Sequence, residues 1–235
     1  MNSEEICHLL THGDIDVVGK VAASSNQALL VEVTLDGVTV LACHKTELGE
    51  RPLWDFPEGL WKREIAAYVV ANYMGLDLIP ETVARLDGPY GPGSLQRWIE
   101  GDTGDHFFTL RDRGEFTPWF CDLAAFDVVA NNTDRKSGHV IFDGQRCWAI
   151  DQGLCFAEED KLRTVIWDYA GEALSEPLLA SLQKLSEIPD QLLHDLLGET
   201  EREALRNRAR DLFIYQELPF PDEDREWPPY PWPLI

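Results

Sequence analysis

Cations are scarce in this 235-residue sequence. Twenty Lys and Arg stand against 42 Asp and Glu, a formal net charge of -22 at pH 7. A field of that sign repels nucleic acid and anionic lipid headgroups, which excludes both as partners of the surface as a whole. Any polyphosphate would need local cations or a metal. Cysteines are few and odd in number: Cys7, Cys43, Cys121, Cys147 and Cys155, with no C-x-x-C pair. Cys43 and Cys147 lie in apolar runs, so buried thiols in a reducing compartment are expected rather than disulfides. No apolar run approaches the roughly 18–20 residues of a membrane span. Residues 1–5 lack the basic and apolar blocks of a signal peptide. A cytoplasmic protein is expected, with no nucleic-acid partner and no stable membrane association.

The hydrophobic fraction of 44% and charged fraction of 26% suit a globular chain. Its length suits one domain of two lobes or two small domains. A short helix or turn over residues 4–12 is followed by three strand-like runs at 15–21, 28–33 and 38–45. The last two flank Asp36-Gly37, a strong hairpin signal. A Gly-, Pro- and Trp-containing loop spans 46–59. Residues 60–74 then carry apolar positions at spacings of three and four, with Gly75 placed to end a helix. Strands are expected at 82–86 and 93–99, and the polar stretch 100–105 is the best lobe boundary. Beyond it, helices are expected at 119–130, 175–185, 189–197 and 199–215, with one hairpin between the first two. The tail from 218 to 235 carries six prolines and two tryptophans, which exclude regular helix or strand. It either wraps over the domain or serves as a binding segment. The expected fold class is α+β, with an antiparallel-sheet N-lobe (1–101) holding one helix, a mainly helical C-lobe (102–217) and the tail (218–235).

The chemistry concentrates in Asn132-Thr133-Asp134-Arg135-Lys136-Ser137-Gly138-His139 and in Asp151-Gln152-Gly153. Val140-Ile141-Phe142 and Trp148-Ala149-Ile150 read as two strands turned at Asp143-Gly144. Such a hairpin brings its ends together and places Asp134 and His139 near Asp151. Two carboxylates and an imidazole at one hairpin mouth could hold a divalent cation with a base beside it, which phosphoryl transfer requires. Asp is also common at turns, so each acid alone has a structural reading. Asp127, seven residues before Asp134, is placed to anchor the loop from the preceding helix.

These motifs resemble the protein-kinase-like fold, and more narrowly its atypical phosphatidylinositol 3-/4-kinase-like and HipA-like branches, including a small actinobacterial family related to the former. The resemblance covers about residues 15–167. It implies that Lys45 contacts nucleotide phosphates and that Glu64 on the following helix is its partner. It implies that Asp134 orients and deprotonates an acceptor hydroxyl and that Asp151 bridges a metal to the phosphates. His139 would be a second metal ligand where the family has Asn, shifting preference from Mg²⁺ towards Mn²⁺; alternatively it is a structural histidine. Lys136 stands where the family has His, and either stabilises transferred phosphate or is a surface lysine. Gln96, Trp98, Ile99 and Glu100 fall in the segment against which adenine would lie. Ser24, Ser25 and Asn26 would form the phosphate-covering turn, without the usual glycines.

The resemblance therefore implies a metal-assisted phosphotransferase using ATP with Mg²⁺ or Mn²⁺. The acceptor would be a small molecule or a flexible peptide, possibly the protein itself; the acidic surface argues against a polyanionic lipid headgroup. A non-catalytic nucleotide-binding scaffold and a nucleotidyl transferase on the same fold are the alternatives. Trp54, Trp61, Trp148 and Trp167 are expected to pack in the core or between lobes. The 51–57 loop either packs or covers a ligand.

Overall fold

The computed structural model describes residues 1–21, 27–222, 224 and 227–235. It opens with helix α1 (Ser3–His12), started by a capping box in which Asn2 accepts from the Glu5 N–H and Glu5 reaches back to the Asn2 N–H. Strands β1 (Asp14–Lys20), β2 (Ala28–Leu35) and β3 (Val38–Thr46) form a meander. Leu35 pairs with Val38 across a two-residue turn. Both turn residues, Asp36 and Gly37, have positive φ (51° and 80°), as the mirror-image hairpin turn requires. Strands β4 (Thr82–Arg85) and β5 (Gly93–Arg97) complete an antiparallel sheet of order β1-β2-β3-β5-β4. One face buries Leu29, Val31, Val33, Ala42 and Leu95 under Leu9 and Leu10 of α1.

Helix α2 (Leu60–Met74) follows β3. Its N-cap is Gly59, which supplies no side chain; Glu50 caps from outside, accepting from the main-chain N–H of Gly59 (3.0 Å) and Trp61 (2.7 Å). Its other end closes on Gly75 at φ 75°. The apolar face of α2 (Ala66, Ala67, Val70, Ala71 and Met74) packs into the same core as the C-lobe helices.

The C-lobe comprises α3 (Phe107–Arg111), α4 (Thr117–Ala130), the hairpin β6 (Val140–Phe142) and β7 (Cys147–Ala149), α5 (Glu176–Leu185) and α6 (Glu199–Tyr215). The short helix α3 was not expected. The helix expected over 189–197 is instead a single 3-10 turn (Asp190–Leu192) and further turns. Buried Leu193 and Leu197 gave that stretch its helical spacing, but Leu193 leaves the helical region at φ -128°. Trp61 and Trp148 are buried as expected, whereas Trp54 is 88% exposed. Phe56 is the aromatic that fills the corresponding gap, against Leu60 and Ala157. All five cysteines are free thiols. Among the described residues, no helix is long and apolar enough to cross a membrane.

The tail wraps. Gly171 donates to the Leu218 carbonyl (2.8 Å), Thr164 to that of Pro229 (3.0 Å), and Ser137 to that of Leu234 (2.8 Å). The indole of Trp167, expected in the core or between lobes, is half-buried and donates to Pro229 O (3.0 Å).

Candidate active site

The site forms where the C-terminal end of β3, the middle of α2, the loop after α4 and the residue after β7 converge. Lys45 precedes the last residue of β3, and its ammonium bonds Glu64 of α2 and, at 2.7 Å, Oδ1 of Asp151. Glu64 is buried and spends its second oxygen on the main-chain N–H of Gln152 (3.0 Å). One carboxylate thus fixes both the lysine and the strand end that carries Asp151. Burial works to lower the Lys45 pKa, but Asp151 and Glu64 outweigh it and hold the group charged. Lys45 in turn is the main cause that keeps Asp151 well below the usual carboxylate range. Asp151 itself adopts φ 62°, a left-handed conformation that costs an L-residue about 1 kcal/mol or more and persists only where surrounding contacts impose it.

The loop after α4 is organised by a buried ion pair. Asp127, on a helix whose buried face is otherwise apolar, accepts from Arg135 Nε and Nη2 (both 3.0 Å) and from Asn132 Nδ2 (2.9 Å). Both charged side chains are essentially inaccessible, at 0% and 1%. Burial opposes the Arg135 charge, and Asp127 more than restores it. Asn132 Oδ1 accepts from the Asp134 N–H (3.0 Å), while Arg135 Nη1 donates to the Ile150 carbonyl (2.9 Å), next to Asp151. One guanidinium therefore ties the Asp134 loop to the strand end bearing Asp151. Asp127 is the anchor expected from sequence. Arg135, its partner, was missed; the signal was an arginine eight residues after the only buried acid of an apolar helix.

Asp134 is partly buried and bonded to Lys136 at 2.8 Å. Burial raises its pKa, against the pull of Lys136, which favours a group able to take a proton. His139 Nε2 lies 3.4 Å from Asp151 Oδ2. Burial pushes its imidazole down to about 4, so it is neutral at physiological pH. Its Nδ1 is buried with no hydrogen-bond partner among the described residues.

Lys45, Glu64, Asp134 and Asp151 line one cavity of about 240 Å³, together with Arg51, Leu53, Leu60 and Trp61. Gln96, Trp98, Ile99 and Glu100 are not among its lining residues. Gln96 is buried and donates to Thr82 (2.9 Å), and the N–H groups of Arg97 and Trp98 are taken by the Glu81 and Leu41 carbonyls. Ser24, Ser25 and Asn26 lie outside the described residues. Among the described residues, no group of three or more His, Cys, Asp and Glu side chains gathers around a common metal position.

No family model matches the sequence. Among solved structures, the chain is similar to the Helicobacter pylori proinflammatory kinase CtkA, with a TM-score of 0.53 and 12% identity over 89% of this chain and 94% of that one. It is also similar to hydra Fam20 solved with sugar, with a TM-score of 0.55 and 12% identity over 90% and 88% of the two chains. At that identity the likeness shows the fold, which is two-lobed, α+β and protein-kinase-like. Protein Rv2133c of Mycobacterium tuberculosis is 36% identical over an alignment spanning 97% of this chain and 94% of that protein. The chain belongs to the Rv2133c family.

Proposed function

We propose that the protein is an ATP-dependent phosphotransferase that moves the terminal phosphate of ATP to a hydroxyl acceptor with the help of Mg²⁺ or Mn²⁺. The observation that carries this reading is a lysine held between a helix carboxylate and Asp151, with a second, proton-accepting carboxylate, Asp134, in the same cavity. A phosphotransferase needs a fixed cation for the phosphates, a metal-binding acid and a group that orients the attacking hydroxyl.

Asp134 receives the acceptor's hydroxyl hydrogen and aims its oxygen at the terminal phosphorus. Lys136, bonded to Asp134, keeps the carboxylate in one orientation and brings a positive charge beside the transferred group. Lys45 contacts the nucleotide phosphates; Glu64 stops its flexible stem from wandering. Asp151 and His139 fit a divalent ion as a pair, one oxygen and one neutral imidazole nitrogen 3.4 Å apart. Two protein ligands suit an ion that completes its shell with phosphate and water, and the imidazole favours Mn²⁺ over Mg²⁺. When bound, the ion would supply charge to offset the phosphates. The narrower likeness to phosphatidylinositol 3-/4-kinase-like and HipA-like enzymes is part of the same proposal, as is a cytoplasmic location, supported by five free thiols.

Asp134→Ala is expected to abolish transfer to acceptor while ATP with Mn²⁺ still raises the melting temperature. Retention of full transfer by that variant would remove Asp134 from its role. The ion pair with Lys136 also motivates a second reading, a nucleotide-binding protein without turnover; ATP-induced stabilisation with no ADP formed in either metal would favour it.

A further inference from the structure

Three features converge on the acceptor side of the cleft. The first is the size and shape of the cavity at Asp134. At about 240 Å³ it is smaller than the roughly 300–1,000 Å³ of drug-sized ligand sites. Residues 96–100 are not among its lining residues, whereas Lys45, Asp134 and Asp151 are. One wall is the 46–61 segment: Thr46 at the end of β3, Arg51 and Leu53 from the loop, then Leu60 and Trp61 from the start of α2. That wall is anchored, because Glu50 is fixed by two α2 main-chain N–H groups and Phe56 is buried against Leu60 and Ala157.

The second feature is the tail. An acceptor polypeptide laid across the C-lobe next to the Asp134 loop would have to share the surface of residues 137 and 164–168. Residues 227–235 already occupy it: Leu234 O accepts from Ser137 N, and Pro229 O accepts from both Thr164 N and the Trp167 indole. Leu234 and Tyr230 also line a depression together with Phe108, Val165 and Trp167.

The third feature is charge. Glu50, Glu64, Asp134 and Asp151 line the cavity against only Lys45 and Arg51, four anionic groups to two cationic. A triphosphate would add further negative charge, so an acceptor bearing a carboxylate or phosphate would meet repulsion there.

We infer, resting on the phosphotransferase reading, that the acceptor is a small uncharged or cationic hydroxyl compound of polyol, amino-alcohol or amino-sugar size, bound between the 46–61 wall and Asp134. In the transfer, the acceptor oxygen bonds the terminal phosphorus of ATP. The bond from that phosphorus to the bridging oxygen breaks, the electron pair leaves with ADP, and the hydroxyl proton passes to Asp134.

The test measures ADP release with ATP and MnCl₂ on addition of glycerol, ethanolamine, glucosamine, glycerate or a serine-containing peptide, and identifies phosphorylated products by mass spectrometry. Phosphorylation of at least one neutral or cationic member is expected, with none of glycerate or peptide. Leu53→Trp, a rim residue 39% exposed, should raise the acceptor KM at least tenfold while the melting shift given by ATP persists. Preference for peptide or glycerate, no stimulation by any neutral or cationic member, or an acceptor KM unmoved by Leu53→Trp would overturn the inference. In those cases ADP formation from ATP, with any acceptor or by autophosphorylation, leaves the phosphotransferase reading standing, whereas a melting shift with no ADP formed favours the non-turnover reading. Absence of that shift in the unmodified protein would sink both.

Discussion

Removing Asp127 tests whether the site is built on its buried ion pair. Asp127→Ala leaves the Arg135 guanidinium inaccessible and without its carboxylate, since Nε and Nη2 both spend their bonds on Asp127. Stranding one member of a buried pair costs about 3–5 kcal/mol, and the Asn132 amide, which also bonds Asp127, adds about 1 kcal/mol. At about 2–4 °C per kcal/mol for a chain of this size, the melting temperature should fall by roughly 8–24 °C. Calorimetry and chemical denaturation both read this. Replacing the pair with apolar residues, Asp127→Leu with Arg135→Met, removes the stranded charge and should recover most of the loss. That variant should stay inactive, because it loses the Arg135 bond that ties the Ile150 carbonyl, next to Asp151, to the Asp134 loop. A single variant melting within about 3 °C of the parent, or a double variant less stable than the single, would refute the assignment of the pair as the anchor.

Two further perturbations probe other layers. His44 on β3 is fully buried, its ring lying against Gly88 and Gly93, and burial together with the Arg85 charge pushes its pKa down to about 4. The unfolded chain takes that proton near pH 6.5 and the folded protein only near 4. This contribution to stability is therefore complete above pH 6.5 and falls as the pH drops towards 4, by at most about 3 kcal/mol. His44→Leu should flatten that part of the profile, read by melting between pH 7.5 and 4.5, with His139 leaving a residual slope of the same sign; an unchanged profile would contradict it. Ser137→Pro removes the N–H that donates to Leu234 O at a position preceded by extended Lys136 (φ -84°, ψ 163°), which tolerates a following proline. Loss of about 1 kcal/mol is expected, with faster proteolytic cleavage within 227–235; cleavage at the parental rate would show that this bond does not hold the tail.

What the sequence revealed followed interaction range. Helices α2 and α6 and the Asp36-Gly37 turn were legible because period, caps and turn residues lie within a few positions of the element they define. The approach of Asp134 and Asp151 was legible because a single hairpin connects them. The Lys45–Glu64 pair spans the 13 residues between β3 and α2, so it came from family resemblance rather than from any periodicity. Three features were hidden because their causes are distant. Glu50 caps α2 from outside the helix and reads as a loop acid. Arg135 sits in a polar turn, where arginine is ordinarily solvated, and only its partner on α4 makes it a core residue. A wrapping tail was one of the two readings open from its prolines and aromatics, but where it docks was not legible, because the carbonyls of Leu218, Pro229 and Leu234 that hold it leave no mark on side-chain pattern. Trp54 was misjudged for the opposite reason: hydrophobicity argued for burial, and Phe56, two residues on, took the place.

The position of α2 decides which part of the site can move. Its apolar face is shared with the C-lobe core, and Arg63 bonds both the Cys155 carbonyl (2.5 Å) and Glu201 of α6. Ser181 and Lys184 of α5 bond the Met74 and Tyr73 carbonyls at its other end. Swinging α2 away would uncover at least Val70 and Met74, about 3–6 kcal/mol of apolar burial, and would strand the buried Arg63 charge as well. A ligand at one hundred times its Kd contributes only about 2.7 kcal/mol. Ligand binding of that strength is too weak to move this helix, and the Lys45–Glu64 pair is already assembled in the structure. The freedom that remains lies in the loop before the helix: Trp54, 88% exposed, is a large apolar side chain with no seat in the core. Adaptation to the proposed acceptor falls to that loop, between its fixed points at Glu50 and Phe56, rather than to the helix that carries Glu64.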